Sequence, residues 1–167
     1  TGRIIGAQIV GPKGVDKRID VLATAIQAKM TAEDLENLDL AYAPPYAPTK
    51  DPVIIAGMAA ANMLRGEVET ITVNEYHEAL KSGEEIQLID CRGIKDIDFT
   101  GRVPEAEVMP LEEFREWLED IDPDVPVVAF CGIGYRSYMV YRILKHHGIK
   151  AKSLAGGYSM LAGKTPK

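Results

Sequence analysis

Val127-Val-Ala-Phe-Cys131-Gly-Ile-Gly-Tyr-Arg136-Ser137 runs from four apolar residues into a cysteine, two glycines one residue apart, and the polar start of a helical pattern. A short unbroken apolar run closed by glycine reads as a strand covered on both faces, the form strands take in a parallel sheet flanked by helices. The pattern that follows predicts a helix over 136–147. The same rhythm extends outward on both sides. Upstream it predicts a helix over 73–81, a buried strand over 86–91 and a helix over 111–119; downstream it predicts a strand near 152–154 and a helix over 158–161. Short strands alternating with helices predict an α/β unit with a parallel sheet and crossover helices over residues 70–167.

Ahead of this unit the pattern differs. Arg3 to Val10 reads as a strand broken by Gly6, and Gly11-Pro-Lys-Gly14 as a turn. Val15, Ile19, Leu22, Ile26 and Met30 recur at steps of three and four, the stripe of an amphipathic helix. Thr31 and Asp34 form a capping-box pattern for a short helix through Leu38. Four prolines between residues 41 and 52 exclude helix and central strand. An Ala- and Met-rich helix is expected over 53–64, stopped by Gly66, with a linker at 67–69. One strand and three helices over 1–66 leave strand edges unpaired. The segment therefore reads as an incomplete α+β domain that exposes apolar surface, which favours a homodimer or association with further domains.

Composition narrows the function classes. The 167 residues carry 19 Lys plus Arg against 25 Asp plus Glu, a formal charge of -6, which provides no footprint for nucleic acid or an anionic membrane. The longest apolar stretch is far short of a bilayer helix, and no signal peptide is legible at the N-terminus, so a cytoplasmic location is expected. Two cysteines, Cys91 and Cys131, are too few for a disulfide scaffold or a four-ligand zinc site. The three histidines suggest no metal site, and none is expected.

The chemistry is expected at Cys131. Gly132 and Gly134 let the loop curl with its amides inward while the next helix aims its positive end at the same point. A thiol so placed has its pKa lowered from about 8.5 and becomes a nucleophile near neutral pH. The alternative is a small apolar residue packed at a strand end. Arg136 is expected to orient an anionic substrate, or else to face solvent in the first helical turn. Ser137 caps the helix or bonds into the cradle. Asp90 and Arg92 support the site by pairing with each other or with loop groups. Cys91, at the end of a strand on the same sheet edge, is either buried packing or a resolving thiol.

Cys131-Gly-Ile-Gly-Tyr-Arg-Ser resembles the active-site loop of rhodanese-type sulfurtransferases. Leu88-Ile-Asp90-Cys-Arg92, Gly101-Arg-Val-Pro104-Glu-Ala106 and Leu154-Ala-Gly156-Gly157-Tyr158 resemble further motifs of that family, over about residues 70–163. Arg102 and Glu105 depart from its usual histidine and glycine, and Gly93 to Thr100 is short of its helix pattern. Four residues separate Cys131 from Arg136, whereas cysteine phosphatases use five, normally with histidine before the cysteine; here Phe130 precedes it. The shorter loop suits one terminal sulfur better than a tetrahedral phosphate or arsenate. The resemblance implies a rhodanese-like parallel sheet and a two-step sulfur transfer. Cys131 takes sulfane sulfur from a donor as a persulfide, with Gly132, Ile133, Gly134, Tyr135 and Ser137 around it, and a thiol or cyanide removes it. A docking or sulfur-carrier module without turnover is the second reading, and phosphatase or arsenate reductase the third.

Gly2-Arg-Ile-Ile-Gly-Ala-Gln-Ile-Val-Gly11, Lys17-Arg-Ile-Asp20 and Tyr42-Ala-Pro-Pro-Tyr46 resemble the C-terminal dimerisation domain of pyridine nucleotide-disulfide oxidoreductases. The type is that of coenzyme A-disulfide or persulfide reductases, also called NADH oxidase-like, some of which carry a fused rhodanese domain. The match takes in only the latter part of that domain. The chain thus reads as the C-terminal part of a homodimeric flavoprotein. FAD, NAD(P)H and coenzyme A are implied for the parent protein and no cofactor for this segment, and the missing flavoprotein domains are implied as partners. The resemblance also implies that Tyr42, or secondarily Tyr46, reaches the partner subunit's active site near the thiol of coenzyme A; otherwise both rings pack the proline segment onto a core.

Overall fold

The computed structural model describes residues 1–163; residues 164–167, to which the sequence reading extends the second unit, lie outside them. The chain divides into two compact units, one ending at Glu67 and the next beginning at Val68.

The first unit contains α1 (Val15–Gln27), α2 (Ala32–Glu36) and α3 (Pro52–Leu64). Leu22, Ala25, Leu35 and Val53 form its core, with Met30 packed against it. Thr31 and Asp34 make the full capping box of α2. α3 starts on Asp51, whose carboxylate accepts from the Val53 amide at 3.0 Å and from the Arg18 guanidinium. Gly66 follows the end of α3 in the left-handed conformation that ends helices.

The strand expected over 3–10 does not form. Arg3 makes a single antiparallel bridge to Thr31, flanked by the bonds from the Ile4 amide to the Met30 carbonyl and from the Ala32 amide to the Gly2 carbonyl. Ile5 and Val10 are almost fully exposed. A β-pattern becomes a strand only where another strand accepts its ladder, and this unit has no other strand among the described residues.

The second unit is a five-stranded parallel sheet in the order β1-β5-β4-β2-β3, built from β1 (Thr70–Ile71), β2 (Gln87–Asp90), β3 (Glu107–Val108), β4 (Val127–Phe130) and β5 (Ala151–Leu154). Its helices are α4 (Val73–Lys81), α5 (Ile94–Thr100), α6 (Tyr135–His146) and α7 (Gly157–Leu161). Central β4 is buried on both faces and alternates between two cores. Val127 and Ala129 pack with Ile89, Val140 and Leu144 on one side, and Val128 and Phe130 with Leu88, Tyr76 and Leu154 on the other.

Two further expectations need correction. Residues 111–119 are not an α-helix but consecutive turns ending in a 3₁₀ turn at Leu118–Asp120. Amide bonds run three residues back, such as Phe114 to Leu111 and Trp117 to Phe114. Phe114 and Ile121 are buried with Leu111 and Leu118 packed against them, a three-and-four spacing that reads as a helix in the sequence, while Glu112 and Glu116 would repel each other four apart on an α-helix. Conversely, residues 94–100 do form a helix, α5. Only Ile97 of it is buried, and Phe99 is almost fully exposed, so no apolar stripe announces it. Its last turn is held from outside: Arg92 donates to Thr100 Oγ1 and to the Gly101 carbonyl, and the Tyr158 hydroxyl donates to the Thr100 carbonyl at 2.6 Å.

Candidate active site

Cys131 is the first residue past β4, where the chain leaves the sheet for a four-residue loop ending at the N-terminus of α6. The loop carbonyls turn away from the thiol. Those of Cys131 and Gly132 accept from the Tyr158 and Ser159 amides at the start of α7, at 2.7 and 3.4 Å. Gly157 makes this possible: its φ is +55°, and a Cβ there would run into the Cys131 carbonyl and the Gly132 backbone. With the carbonyls drawn outward the amides face in, and the Gly134 amide donates to Cys131 Sγ at 3.2 Å. Burial pushes the Cys131 thiol up, but hydrogen bonds from the amides of Ser137, Gly134, Ile133 and Arg136 outweigh it, and the thiol titrates below its ordinary value.

Ser137 does not cap the helix. Gly134 holds the N-cap position, and the buried Ser137 hydroxyl lies 3.9 Å from Cys131 Sγ, 3.1 Å from the Gly134 carbonyl and 2.9 Å from Ser153 Oγ. Ile133 and Tyr135 turn their side chains outward, 74% and 71% exposed, so Ile133 contributes to the cradle through its amide. Arg136, also outside the cradle, pairs with Asp96 of α5. Cys131 and Glu112 add to the negative field around it.

Asp90 and Arg92 bond to each other, fully buried, through Nε and Nη2. The Arg92 guanidinium also lies over the Tyr158 ring, 3.8 Å from its centroid. This pair ties the end of β2 to α5 and α7, the two elements that hold Arg136 and the loop carbonyls. Asp96, Ser153 and Gly157 are the members of the site that the sequence reading did not single out by role. Only Gly157 had a visible signal, the Gly156-Gly157 pair. Tyr42 and Tyr46 belong to the first unit, on its proline segment; the Tyr42 hydroxyl accepts a long bond from Thr49, and the Tyr46 ring is 87% exposed rather than packed.

The profile of the rhodanese-like domain matches residues 72–163, more than half of the chain. The chain belongs to the rhodanese-like family. Residues 1–52, ahead of the rhodanese-like domain, match the pyridine nucleotide-disulphide oxidoreductase dimerisation domain. Among solved structures, reduced Bacillus anthracis CoADR-RHD is 39% identical, with a TM-score of 0.82 over 90% of this chain and 26% of that one. The NAD-dependent persulfide reductase from A. fulgidus is 44% identical, with a TM-score of 0.75 over 88% of this chain and 26% of that one. Among curated proteins, coenzyme A disulfide reductase of Staphylococcus aureus (strain bovine RF122 / ET3-1) is 45% identical over 58 residues, 35% of this chain and 13% of that protein. The chain thus spans about a quarter of the solved relatives and about an eighth of the curated one.

In the doubly wound α/β sites that hold flavin or nicotinamide dinucleotides, a strand, a glycine-rich turn and a helix N-terminus receive the pyrophosphate. Among the described residues, the glycine turn that follows β4 converges on Cys131 Sγ, and that at Gly156-Gly157 is filled by the Cys131 and Gly132 carbonyls. Neither turn fits such a group. Among the described residues no helix is long and apolar enough to cross a membrane.

Proposed function

We propose that the rhodanese-like domain carries sulfane sulfur as a persulfide on Cys131, as the C-terminal part of a flavin-dependent coenzyme A-disulfide or persulfide reductase. The observation that supports this most directly is the convergence of four backbone amides on one sulfur whose titration they lower. The thiolate attacks the outer sulfur of a donor such as thiosulfate. The donor's sulfur–sulfur bond breaks, sulfite leaves with the bonding pair, and the new persulfide anion sits where the amides already point. An acceptor thiolate then takes the outer sulfur and returns Cys131 to the thiolate. Arg136 orients the anionic donor at the rim. The loop of Gly132, Ile133, Gly134 and Tyr135 shapes the cradle, and Ser137 stands beside the sulfur.

In the whole protein, residues 1–66 supply part of a homodimer interface, 67–69 a linker and 70–167 the rhodanese-like domain. Tyr42, with Tyr46 second, serves the partner subunit's thiol site, and coenzyme A is the acceptor. FAD and NAD(P)H belong to portions of the relatives that this chain does not span. Mass spectrometry tests the central step. Thiosulfate or polysulfide should add about 32 Da, one sulfur, to the wild-type chain and nothing to Cys131→Ser. Absence of the adduct from folded wild-type protein overturns the reading. Repeated turnover with cyanide or coenzyme A separates a sulfurtransferase from a carrier, which loads once and stalls.

A further inference from the structure

Cys91 is the buried nucleophilic group that sulfur transfer through Cys131 leaves unused. It follows Asp90 at the end of β2 as Cys131 follows Phe130, the register partner of Asp90 on neighbouring β4. The Cys91 amide donates to the Phe130 carbonyl at 2.8 Å, so the two chains still run side by side as they leave the sheet. Both cysteines take the core face of Ile89 and Ala129 and pack in one cluster. Adjacent strands lie roughly 4.8 Å apart, inside the roughly 4.4–6.8 Å that Cα atoms span across a disulfide. Both thiols are free. Cys91 is fully buried and Cys131 is 2% exposed. Cys91 has no amide cradle: burial, then the charges of Cys131 and Asp90, push its pKa well up.

We propose that Cys91 discharges the Cys131 persulfide when no acceptor arrives, releasing hydrosulfide and leaving a Cys91–Cys131 disulfide. The inference rests on the sulfur-transfer reading above. The Cys91 sulfur attacks Cys131 Sγ from the sheet side, opposite the loop amides that hold the outer sulfur. A bond forms between the two cysteine sulfurs as the bond from Sγ to the outer sulfur breaks. The bonding pair leaves with the outer sulfur, which takes the proton given up by Cys91 and departs as hydrosulfide. The sulfane sulfur gains two electrons and the two cysteines together lose two, so the carried sulfur is itself the oxidant. A dithiol, or two equivalents of a monothiol, resets the pair. Because burial holds Cys91 protonated, the step is slow, and an acceptor thiol entering through the loop mouth outruns it.

The test uses the whole chain, loaded with thiosulfate, desalted to remove donor and sulfite, and held without thiol reductant. Wild type should first show the adduct of about +32 Da, then release about one sulfide per chain while its mass falls to about 2 Da below that of the reduced protein, with a Cys91–Cys131 linked peptide in the digest. Cys91→Val and Cys91→Ser should load equally and keep the adduct at least about tenfold longer without releasing sulfide. A wild-type adduct as long-lived as that of the loaded variants, or sulfide released through disulfides between chains, overturns the proposal and leaves persulfide formation standing. Failure of wild type to load at all overturns the sulfur-transfer reading instead. Loading reports that each variant is folded, so whichever variant loads decides the comparison.

Discussion

Asp96, on α5, holds the guanidinium of Arg136, on α6, through a bond from Arg136 Nη2 to Asp96 Oδ2. The cation at the rim of the cradle is thus already paired before a substrate arrives. An anionic donor must compete with a fixed carboxylate and approach its charge.

Asp96→Asn should therefore lower the KM for thiosulfate while changing kcat little. The side chain of Asp96 is about half exposed, so solvent screens the pair and the effect is modest, about threefold to fivefold, or under about 1 kcal/mol. Steady-state kinetics with thiosulfate and cyanide check this. A higher KM in the variant would show that Asp96 serves to position Arg136 rather than to compete for it.

The cradle should also distinguish between its glycines. Gly132 has open space around its missing Cβ and no positive φ, whereas Gly157 has φ +55° and would drive a Cβ into the Cys131 carbonyl. Gly132→Ala should leave stability within about 1 kcal/mol of wild type and thiol labelling nearly unchanged. Gly157→Ala should cost about 1–3 kcal/mol in backbone strain and slow labelling of Cys131 at least about tenfold, because displaced carbonyls let the amides turn away. Thermal unfolding and alkylation rates of the two variants provide the comparison, and equal behaviour would mean that α7 does not set the loop.

What could be read in advance followed from how local each signal was. The strand over 127–130, the capping box at Thr31 and Asp34 and the helix over 73–81 are written in nearest-neighbour pattern, and each forms within a residue of expectation. Cys131 and its glycine loop were legible because strand, turn and helix start lie together in eleven residues. α5 was not, because its last turn depends on Arg92 and Tyr158, which come from other elements. Asp96 was hidden for the same reason: nothing in its own sequence neighbourhood points to Arg136, forty positions away. The strand over 3–10 fails in the opposite sense, since its pattern is present but its unit holds no other strand among the described residues.

Arg92 is where a stability change should become a change at the site. It is fully buried, pairs with Asp90, and donates to Thr100 and Gly101 at the end of α5. Arg92→Met removes the ion-pair partner of buried Asp90, a loss of about 3–5 kcal/mol for a buried pair, and frees the end of the helix that carries Asp96. Denaturant unfolding should show that loss. In protein that is still folded, the thiosulfate KM should shift in the same direction as in Asp96→Asn. A stable Arg92→Met variant would remove the pair from the list of structural supports.

The sharpest contrast lies between the two thiols. Four backbone amides outweigh burial at Cys131 and lower its pKa, whereas burial and neighbouring charge raise that of Cys91. The thiolate is the alkylating nucleophile, so each labelling rate should climb with pH and level off above the pKa of its own thiol. Iodoacetamide at pH 7 should modify Cys131 well before Cys91. The half-maximal rate at Cys131 should fall below the pH of an ordinary thiol, and Cys91 should react only at higher pH or on unfolding. The sign of the stability change follows. A depressed folded-state pKa stabilises the fold fully above the unfolded thiol's pKa, and this contribution is lost as pH falls through the folded value. Cys131→Ser should therefore lose more stability relative to wild type at pH 9 than at pH 5, measured by denaturant midpoints at fixed ionic strength. A pH-independent difference, or equal labelling of the two cysteines in folded protein, would show that the amides do not hold a charge on Cys131.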